Sequence, residues 1–524
     1  MPIISNPILR GFFPDPSICR VEDDYYIATS TFEWFPGVRL SHSTDLVHWR
    51  TLAAPLNRLS QLDMRGDANS GGIWAPCLTW DQGVFYLIFT DMKRWTGTHK
   101  ECHNYLVTSR SIEGPWSEPI FLNSSGFDPS LFHEGGRSWL VNMVWDFRPN
   151  HNRFGGILLQ EYDREQKALT GPVRNIFAGS PLGIVEGPHL VKKDGWYYLI
   201  TAEGGTFATH AVTVARSRSI EGPYELMPGN PLLTSNNEPD HPLQSAGHGC
   251  LVQTQEGSWY IAHLCRRPLP NGRSTLGRET ALQAVVWDQE GWPRLASGGR
   301  KPELTVSVPA LPSHPWPPRP LRDDFDNPKL GVEYQTLRVP LGADTLTLEE
   351  RQGFLRLYGR ESLQSHFHQA LVARRIQAFH IQASTALEFQ PETFQQMAGL
   401  TAFYSSHSFY YLYLTRGETA PKALGMMKCE RDTVTFPLLK EVPVDHWDKV
   451  FLRVEIDHDR IRFSYGGDGK NWFPIGVEED ASILSDEHAL PYGFTGAMVG
   501  VACQDLSGRR KPADFDWFEY EELP

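Results

Sequence analysis

Gly183-Ile184-Val185-Glu186-Gly187-Pro188-His189-Leu190 runs directly into Val191-Lys192-Lys193-Asp194-Gly195-Trp196-Tyr197-Tyr198-Leu199. The second stretch reads as a β-hairpin: an apolar strand, a Lys-Asp-Gly turn, then an aromatic strand. The first sets a single carboxylate at the edge of that hairpin, with Gly187 and Pro188 fixing the backbone beside it. Held in one direction among apolar neighbours, Glu186 is expected to keep its proton near neutral pH.

The unit recurs. Phe12-Phe13-Pro14-Asp15-Pro16-Ser17-Ile18 leads through Glu22-Asp23-Asp24 into Tyr25-Tyr26-Ile27-Ala28, and Ile73-Trp74-Ala75-Pro76-Cys77-Leu78 leads through Asp81-Gln82-Gly83 into Val84-Phe85-Tyr86-Leu87. Gly126-Phe127-Asp128-Pro129-Ser130-Leu131 and Ala246-Gly247-His248-Gly249-Cys250-Leu251 do the same. Aligning Pro16, Pro76, Pro129, Pro188 and Gly249 gives steps of 60, 53, 59 and 61 residues. A second marker agrees, because Ser109-Arg110-Ser111-Ile112-Glu113-Gly114-Pro115 returns as Ser217-Arg218-Ser219-Ile220-Glu221-Gly222-Pro223 two units later. A period this long, carried by strands and turns, is that of a β-propeller with about four strands per blade. The expectation is five blades over residues 1–306. Equivalent positions of a propeller face one channel, so Asp15, Ala75, Asp128, Glu186 and His248 are expected to converge there. Asp before Pro is also a common turn start; three carboxylates at matched phase weigh against that reading.

The composition changes at 307–320, a proline-rich linker. Beyond it, over 321–524, alternating runs such as Leu355-Arg356-Leu357-Tyr358, Ser408 to Leu414 and Val450 to Ile456, with Asp323-Asp324-Phe325-Asp326 and Asp514-Phe515-Asp516-Trp517-Phe518 near the ends, indicate a β-sandwich. The whole chain is therefore read as all-β.

A formal charge of −13 and the lack of any basic tract exclude nucleic acid and anionic membrane as partners. The abundance of aromatic rings, 16 Trp, 18 Tyr and 28 Phe, makes a carbohydrate ligand plausible, since sugars stack their C–H faces on such rings. The first residues carry no basic, then apolar, leader, and no run of eighteen apolar residues occurs, so a soluble, cytoplasmic protein is expected. Seven scattered cysteines without Cys-x-x-Cys spacing read as reduced core thiols. A homo-oligomer is the expected assembly.

Glycoside hydrolysis needs one carboxylic acid to protonate the leaving oxygen and one carboxylate to attack or to activate water. Glu186 suits the acid. Asp15, short and rigidly held, suits the base. Asp128 is then a third charge that raises the acid's pKa by repulsion. Sequence leaves open the separation that distinguishes retention from inversion.

These residues, with Asn6-Pro7-Ile8-Leu9, Ser30-Thr31-Phe32-Glu33-Trp34-Phe35-Pro36-Gly37, Phe127-Asp128-Pro129-Ser130 and Glu186-Gly187-Pro188-His189, closely resemble the two-domain β-xylosidases of glycoside hydrolase family 43. The resemblance runs from near residue 5 to the C-terminus. It implies an inverting, exo-acting β-1,4-xylosidase that releases xylose from xylo-oligosaccharides, with base Asp15, pKa modulator Asp128 and acid Glu186. It further implies that Arg278 contacts the terminal sugar and that His248 is the channel histidine. Phe32, Trp74 and Trp145 are candidates for sugar stacking, and Phe494 is the candidate for the tip of a sandwich loop that helps close the site. No cofactor is required; a Ca2+ or other ion near His248 is conceivable in such relatives. Met498 stands where an aromatic would be expected, which bears on the shape of one pocket wall. The rival readings are an α-L-arabinofuranosidase, or dual activity; a sugar-binding propeller with a dead site; a fructan-cleaving relative, whose Asn-Asp-Pro-Asn-Gly and Glu-Cys signatures are absent; and a structural scaffold, which would not need three aligned acids.

Overall fold

The computed structural model describes residues 3–308 and 311–524, so Pro309 and Ala310 of the proline-rich stretch lie outside the described residues, as do Met1 and Pro2. Five antiparallel sheets follow one another, each made of consecutive strands. Blade I is Ser17–Val21, Asp24–Thr29, Arg39–Ser43 and Arg50–Thr51; blade II is Gly72–Asp81, Val84–Arg94, Glu101–Ser109 and Ile120–Asn123. Blade III is Ser130–Glu134, Arg137–Trp145, Phe154–Asp163 and Ala168–Phe177, and blade IV opens on Glu186–Lys193 and Trp196–Glu203. Blade V is Gln244–Gln253, Trp259–Arg266, Arg278–Trp287 and Pro293–Leu295. The hairpin of blade IV turns as its sequence requires: Lys193 pairs with Trp196, while Asp194 and Gly195 take φ of 48° and 74°, the left-handed pair of a tight two-residue turn.

What makes the five sheets one ring is the apolar packing between them. Tyr26, Ala28 and Leu40 of blade I pack on Leu78, Phe85 and Leu87 of blade II, and Cys77, Tyr86 and Ile88 of blade II pack on Leu131, Leu140 and Tyr162 of blade III. Blades III and IV meet through Val141, Leu159 and Leu199, and blades IV and V through Ile200, Val212, Leu251 and Ile261. The fifth seam returns to the start, with Ile18, Tyr25 and Ile27 against Cys250, Tyr260 and Leu282. Alternating side chains on each strand supply both faces, so every blade serves two cores. Ile3–Ser5 pairs with Thr305–Ser307, which ties the start of the propeller to its end.

The second domain is a sandwich of two antiparallel sheets. One contains Leu355–Tyr358, Pro512–Glu522, His380–Glu388, Lys449–Asp457, Arg460–Gly466 and Phe473–Asp480; the other contains Ala370–Arg375, Met498–Asp505, Gln396–Ser405, Ser408–Thr415 and Ala423–Glu430. Among the described residues the one helical element is a 3-10 turn, Ala481–Ile483, and no helix is long and apolar enough to cross a membrane. The Asp323–Asp326 run is strand only at Arg322–Asp323; Phe325 leaves the sheet at φ 55° and buries its ring in the sandwich core.

The two domains are joined along a buried seam. Trp34–Phe35 pairs with Thr336–Leu337, and Phe12, Phe32 and Trp34 of the propeller share one apolar cluster with Phe403, Phe409, Tyr411 and Met498 of the sandwich. Met498 is fully buried there and lines no part of the cavity described below, so its departure from an aromatic affects the seam and not the pocket wall. The described part of the proline-rich stretch is no free spacer: His314 N–H donates to Asp45 Oδ2 at 2.8 Å, and the Arg50 guanidinium lies 4.0 Å from the Trp316 ring.

Arg338 reaches from the sandwich into the propeller fully buried. Its Nε donates to the Asp67 carbonyl at 2.9 Å and its Nη2 to Asn69 Oδ1 at 3.0 Å, beside Glu33, which burial pushes up to about 7 despite Arg338's charge. Replacing Arg338 by Met should cost about 3 kcal/mol in chemical denaturation, because a buried carboxylate loses its counter-charge. The loss should be larger at pH 8 than at pH 5, where Glu33 is already protonated in the folded protein; equal losses at both pH values would contradict the pairing.

Candidate active site

Each inner strand is kinked at the same point by a residue in the left-handed region. Asp15, Ala75, Asp128, Gly187 and His248 have φ of 54°, 32°, 54°, 56° and 46°, one per blade. For the four that carry a Cβ this conformation is costly, and such strain persists where the surrounding structure holds it. It corrects the sequence phasing: the position equivalent to Asp15 in blade IV is Gly187, and Glu186 stands one residue earlier. The register of blade IV slips between Glu186 and His189, and that bulge re-aims the Glu186 side chain toward the cavity lined by the other blades. Gly187 is required at this point. At φ 56° a Cβ would come within 3.0–3.2 Å of the His248 ring.

Three of the kinked residues, Asp15, Asp128 and His248, line a cavity of about 320 Å3. Asp15, Asp128 and Glu186 all line it, with Phe32, Trp74, Trp145, His248, Arg278 and Phe494, so the nine residues singled out from sequence lie around one space. Asp15 is held on two sides. Arg278 Nη1 donates to Oδ1 at 2.7 Å and Nη2 approaches Oδ2 at 3.4 Å, while the Ser30 hydroxyl donates to Oδ2 at 2.7 Å. The Ser30 hydroxyl is itself oriented by the Ala75 N–H, which donates to it at 2.8 Å. Burial alone would raise this carboxyl, but Arg278, His248 and Ser30 together hold it below its ordinary value, so Asp15 is ionised.

The other two carboxyls are shifted the opposite way. Burial, then the charge of Asp15, pushes Glu186 up to about 8, against the pull of Arg278 and Lys100. Asp128 is raised by burial and by Glu186, although the Gly187 N–H donates to its Oδ2 at 3.1 Å. The sequence reading had Asp128 as the charge that raises Glu186; in the structure burial and Asp15 lead, and Asp128 is itself raised. Three acids thus face the Arg278 guanidinium and the Lys100 ammonium. Asp15 takes the guanidinium, and the pair Asp128 and Glu186 carries a shared proton excess. A buried base and a buried, protonated acid in one cavity are the parts needed for acid–base hydrolysis.

The aromatic residues form one wall. Phe494 stacks on Phe32 at 6.0 Å and 18°, and meets Trp74 edge-on at 5.5 Å. Phe32 is almost wholly buried, whereas Trp145 stays partly open at the rim, its indole N–H donating to the Thr98 carbonyl at 2.9 Å. Phe494 is delivered by the sandwich. Its N–H donates to Ser70 Oγ at 3.0 Å and its carbonyl accepts from Arg278 Nη2 at 3.3 Å. The segment before it is pinned by Tyr404 Oη donating to Asp486 Oδ1 at 2.6 Å and by Arg266, 3.3 Å from Oδ2 of the same carboxylate. For His248, the carboxylate partner is Asp15 at 3.9 Å, already engaged by Arg278 and Ser30, and among the described residues no three His, Cys, Asp or Glu side chains are grouped to hold a metal ion.

Sequence reasoning missed Ser30, Trp95, Lys100, Phe154, Thr206, Phe207 and His210 around the same space. Ser30 lay inside a quoted motif and Phe127 beside a chosen aspartate. Lys100 and His210 sit in loops between blade strands, where no periodic pattern marks them.

Residues 4–293 match the family model described as Glycosyl hydrolases family 43, and residues 322–521 match one described as Beta xylosidase C-terminal Concanavalin A-like domain. The chain is 47% identical to a Beta-xylosidase of Bacillus subtilis over 99% of both chains, and 48% identical to Xylosidase/arabinosidase 43B of Humicola insolens over 100% of this chain and 98% of that one. It superposes on the crystal structure of a xylan beta-1,4-xylosidase from Bacillus halodurans with a TM-score of 0.98 at 54% identity, over 99% of this chain and 100% of the other.

With Arg278 replaced by Met, burial would act on Asp15 with its main opposing charge gone, and carbon-detected NMR should find the Asp15 carboxyl titrating above the ordinary carboxylate range. A carboxyl that still titrates below it would remove Arg278 as the group that keeps the base ionised.

Proposed function

The chain belongs to glycosyl hydrolase family 43, and from that premise we propose that it is an exo-acting β-1,4-xylosidase, releasing xylose from the non-reducing end of xylo-oligosaccharides with inversion at the anomeric carbon. The observation that carries the proposal is the opposed ionisation of two buried carboxyls in one cavity, Asp15 held charged by Arg278 and Glu186 held protonated by burial. In this reading Asp15 removes a proton from the attacking water, and Glu186 gives its proton to the departing oxygen. Asp128 positions the Glu186 backbone through the Gly187 N–H and shares the proton equilibrium of the acid. Arg278 and His248 contact the terminal sugar, with Phe32, Trp74, Trp145 and Phe494 offering apolar faces to its C–H groups. The reaction uses carboxylates and water and needs no cofactor.

Exo action suits a cavity of about 320 Å3 with Phe494, brought by the second domain, in its wall. A second reading, cleavage of α-L-arabinofuranosides, is favoured by the dual name of the Humicola insolens relative. A cytoplasmic site of action, on imported xylo-oligosaccharides, suits seven free thiols, six of them buried.

Asp15→Ala and Glu186→Ala should each lower turnover of xylobiose by several orders of magnitude with unchanged circular dichroism, and Asp128→Asn should lower it as well. In the wild type kcat/KM should fall as pH drops through the Asp15 value, where the base is lost, and again as pH rises through about 8, where Glu186 gives up its proton. Near-normal turnover in either alanine variant would sink the assignment.

Proton NMR of the sugar released from xylobiose provides the direct test of mechanism. α-Xylose in the first seconds is expected; β-xylose first would require a carboxylate nucleophile, and cleavage of arabinofuranosides alone would keep the chemistry and change the substrate.

A further inference from the structure

Of the described residues that line the catalytic cavity, two are left exposed, and both are apolar: Ile184 at 39% and Phe207 at 55%. They stand on neighbouring loops at one end of the blade IV hairpin. Ile184 lies two residues ahead of Glu186, where the strand Glu186–Lys193 begins, and Phe207 follows Trp196–Glu203, the strand whose Ala202 pairs with Glu186. The Gly204 N–H donates to the Gly183 carbonyl at 2.9 Å, which ties one loop to the other. The Ile184 side chain lies over Gly205, where a Cβ would come within 3.3 Å of its Cδ1.

Neither loop is loose. The Gly183 N–H donates to the Ser180 carbonyl at 3.1 Å, and the Ser180 hydroxyl donates to Glu203 Oε2 at 2.6 Å. On the other loop Thr209 Oγ1 donates to the Gly204 carbonyl at 2.6 Å, and the His210 N–H to the Phe207 carbonyl at 3.0 Å. The Phe207 ring meets Tyr492 of the sandwich edge-on at 4.8 Å, and Tyr492 meets Phe494 at 5.8 Å, so the exposed ring continues the aromatic wall outward. Ile184 is held at φ 55°, a conformation that a β-branched residue avoids. Strain of this kind, kept in a residue whose side chain stays exposed, is characteristic of a functional contact.

What such a lip meets follows from the position of the acid. Glu186 gives its proton to the glycosidic oxygen, and that oxygen departs with the leaving group, so the leaving group lies beside Glu186. Of the three carboxyl residues, Asp15 and Asp128 are buried and Glu186 is half-buried, which sets the acid nearest the opening. We propose that Ile184 and Phe207 bind the leaving xylose unit, their apolar side chains against its C–H face, and so set the preference for a sugar as leaving group. The assignment rests on the glycosidase reading of the same cavity. It makes both of them specificity residues for the far side of the scissile bond, while the terminal sugar is held inside over Asp15.

The test compares xylobiose with methyl β-xyloside, whose leaving group is methanol and carries no ring. Intrinsic reactivity cancels when the ratio of kcat/KM for the two substrates is compared between wild type and variant. In Phe207→Ala the ratio should fall about tenfold, the loss of one sugar–aromatic contact, and Phe207→Trp should keep it near the wild-type value. Ile184→Asn, whose side chain accepts the left-handed backbone without the apolar face, should lower it several-fold. A loss of equal proportion on both substrates, leaving the ratio unaltered in Phe207→Ala and Ile184→Asn, would make the two residues supports of their loops and overturn the assignment. So would failure of all three variants to fold, which would make the side chains packing elements. A wild type inactive on both xylosides would overturn the xylosidase reading itself, and the leaving xylose with it, whereas an active wild type with unaltered ratios removes the lip alone.

Discussion

The buried pair of Arg278 and Asp15 is the constraint on which the rest of the site depends. It spans the seam where blade V closes on blade I, so it forms only when the ring is complete. A guanidinium and a carboxylate taken out of water cost several kcal/mol each unless they find one another in good geometry. Here they do, and the Ser30 hydroxyl and the Phe494 carbonyl take up further hydrogen-bonding capacity. The same contact therefore records ring closure, fixes the charge of the base and ties the sandwich loop to the propeller.

From that charge the remaining ionisation states follow. Asp15 stays negative although buried, and a second negative charge beside it is disfavoured by the low local dielectric. Glu186 and Asp128, without a guanidinium of their own, hold protons instead. One arginine thus divides three similar side chains into a base and a protonated pair. The division is a matter of geometry, since the three are of nearly the same intrinsic acidity.

The second domain contributes more than a cover. Its sheets bury Trp34, Phe403 and Met498 in a seam, its Arg338 hydrogen-bonds the Asp67 carbonyl and Asn69 inside the propeller, and its Phe494 completes the aromatic wall. Ser70 links these parts. Its N–H donates to Glu33 and its hydroxyl accepts from the Phe494 N–H, so the interface charge cluster and the pocket wall share one residue. Positioning of the loop is consequently a property of the two-domain assembly.

The repeat of Pro16, Pro76, Pro129, Pro188 and Gly249 carried the blade number in the sequence, because each blade must bury both faces with the same strand alternation and turn chemistry. The identity of the three acids was legible for the same reason: they stand beside residues that fix the inner-strand backbone. The offset of Glu186, two residues before Pro188 where Asp15 and Asp128 stand one before Pro16 and Pro129, was legible too, but its direction was not, because that depends on the bulge between Glu186 and His189. Nor was the ionisation of each acid, which depends on an arginine 263 residues away from Asp15 and on burial that exists only after the ring closes. Ser30, Lys100 and His210 went unread because loop residues obey no period, and only the closed ring and the docked sandwich bring them to the cavity.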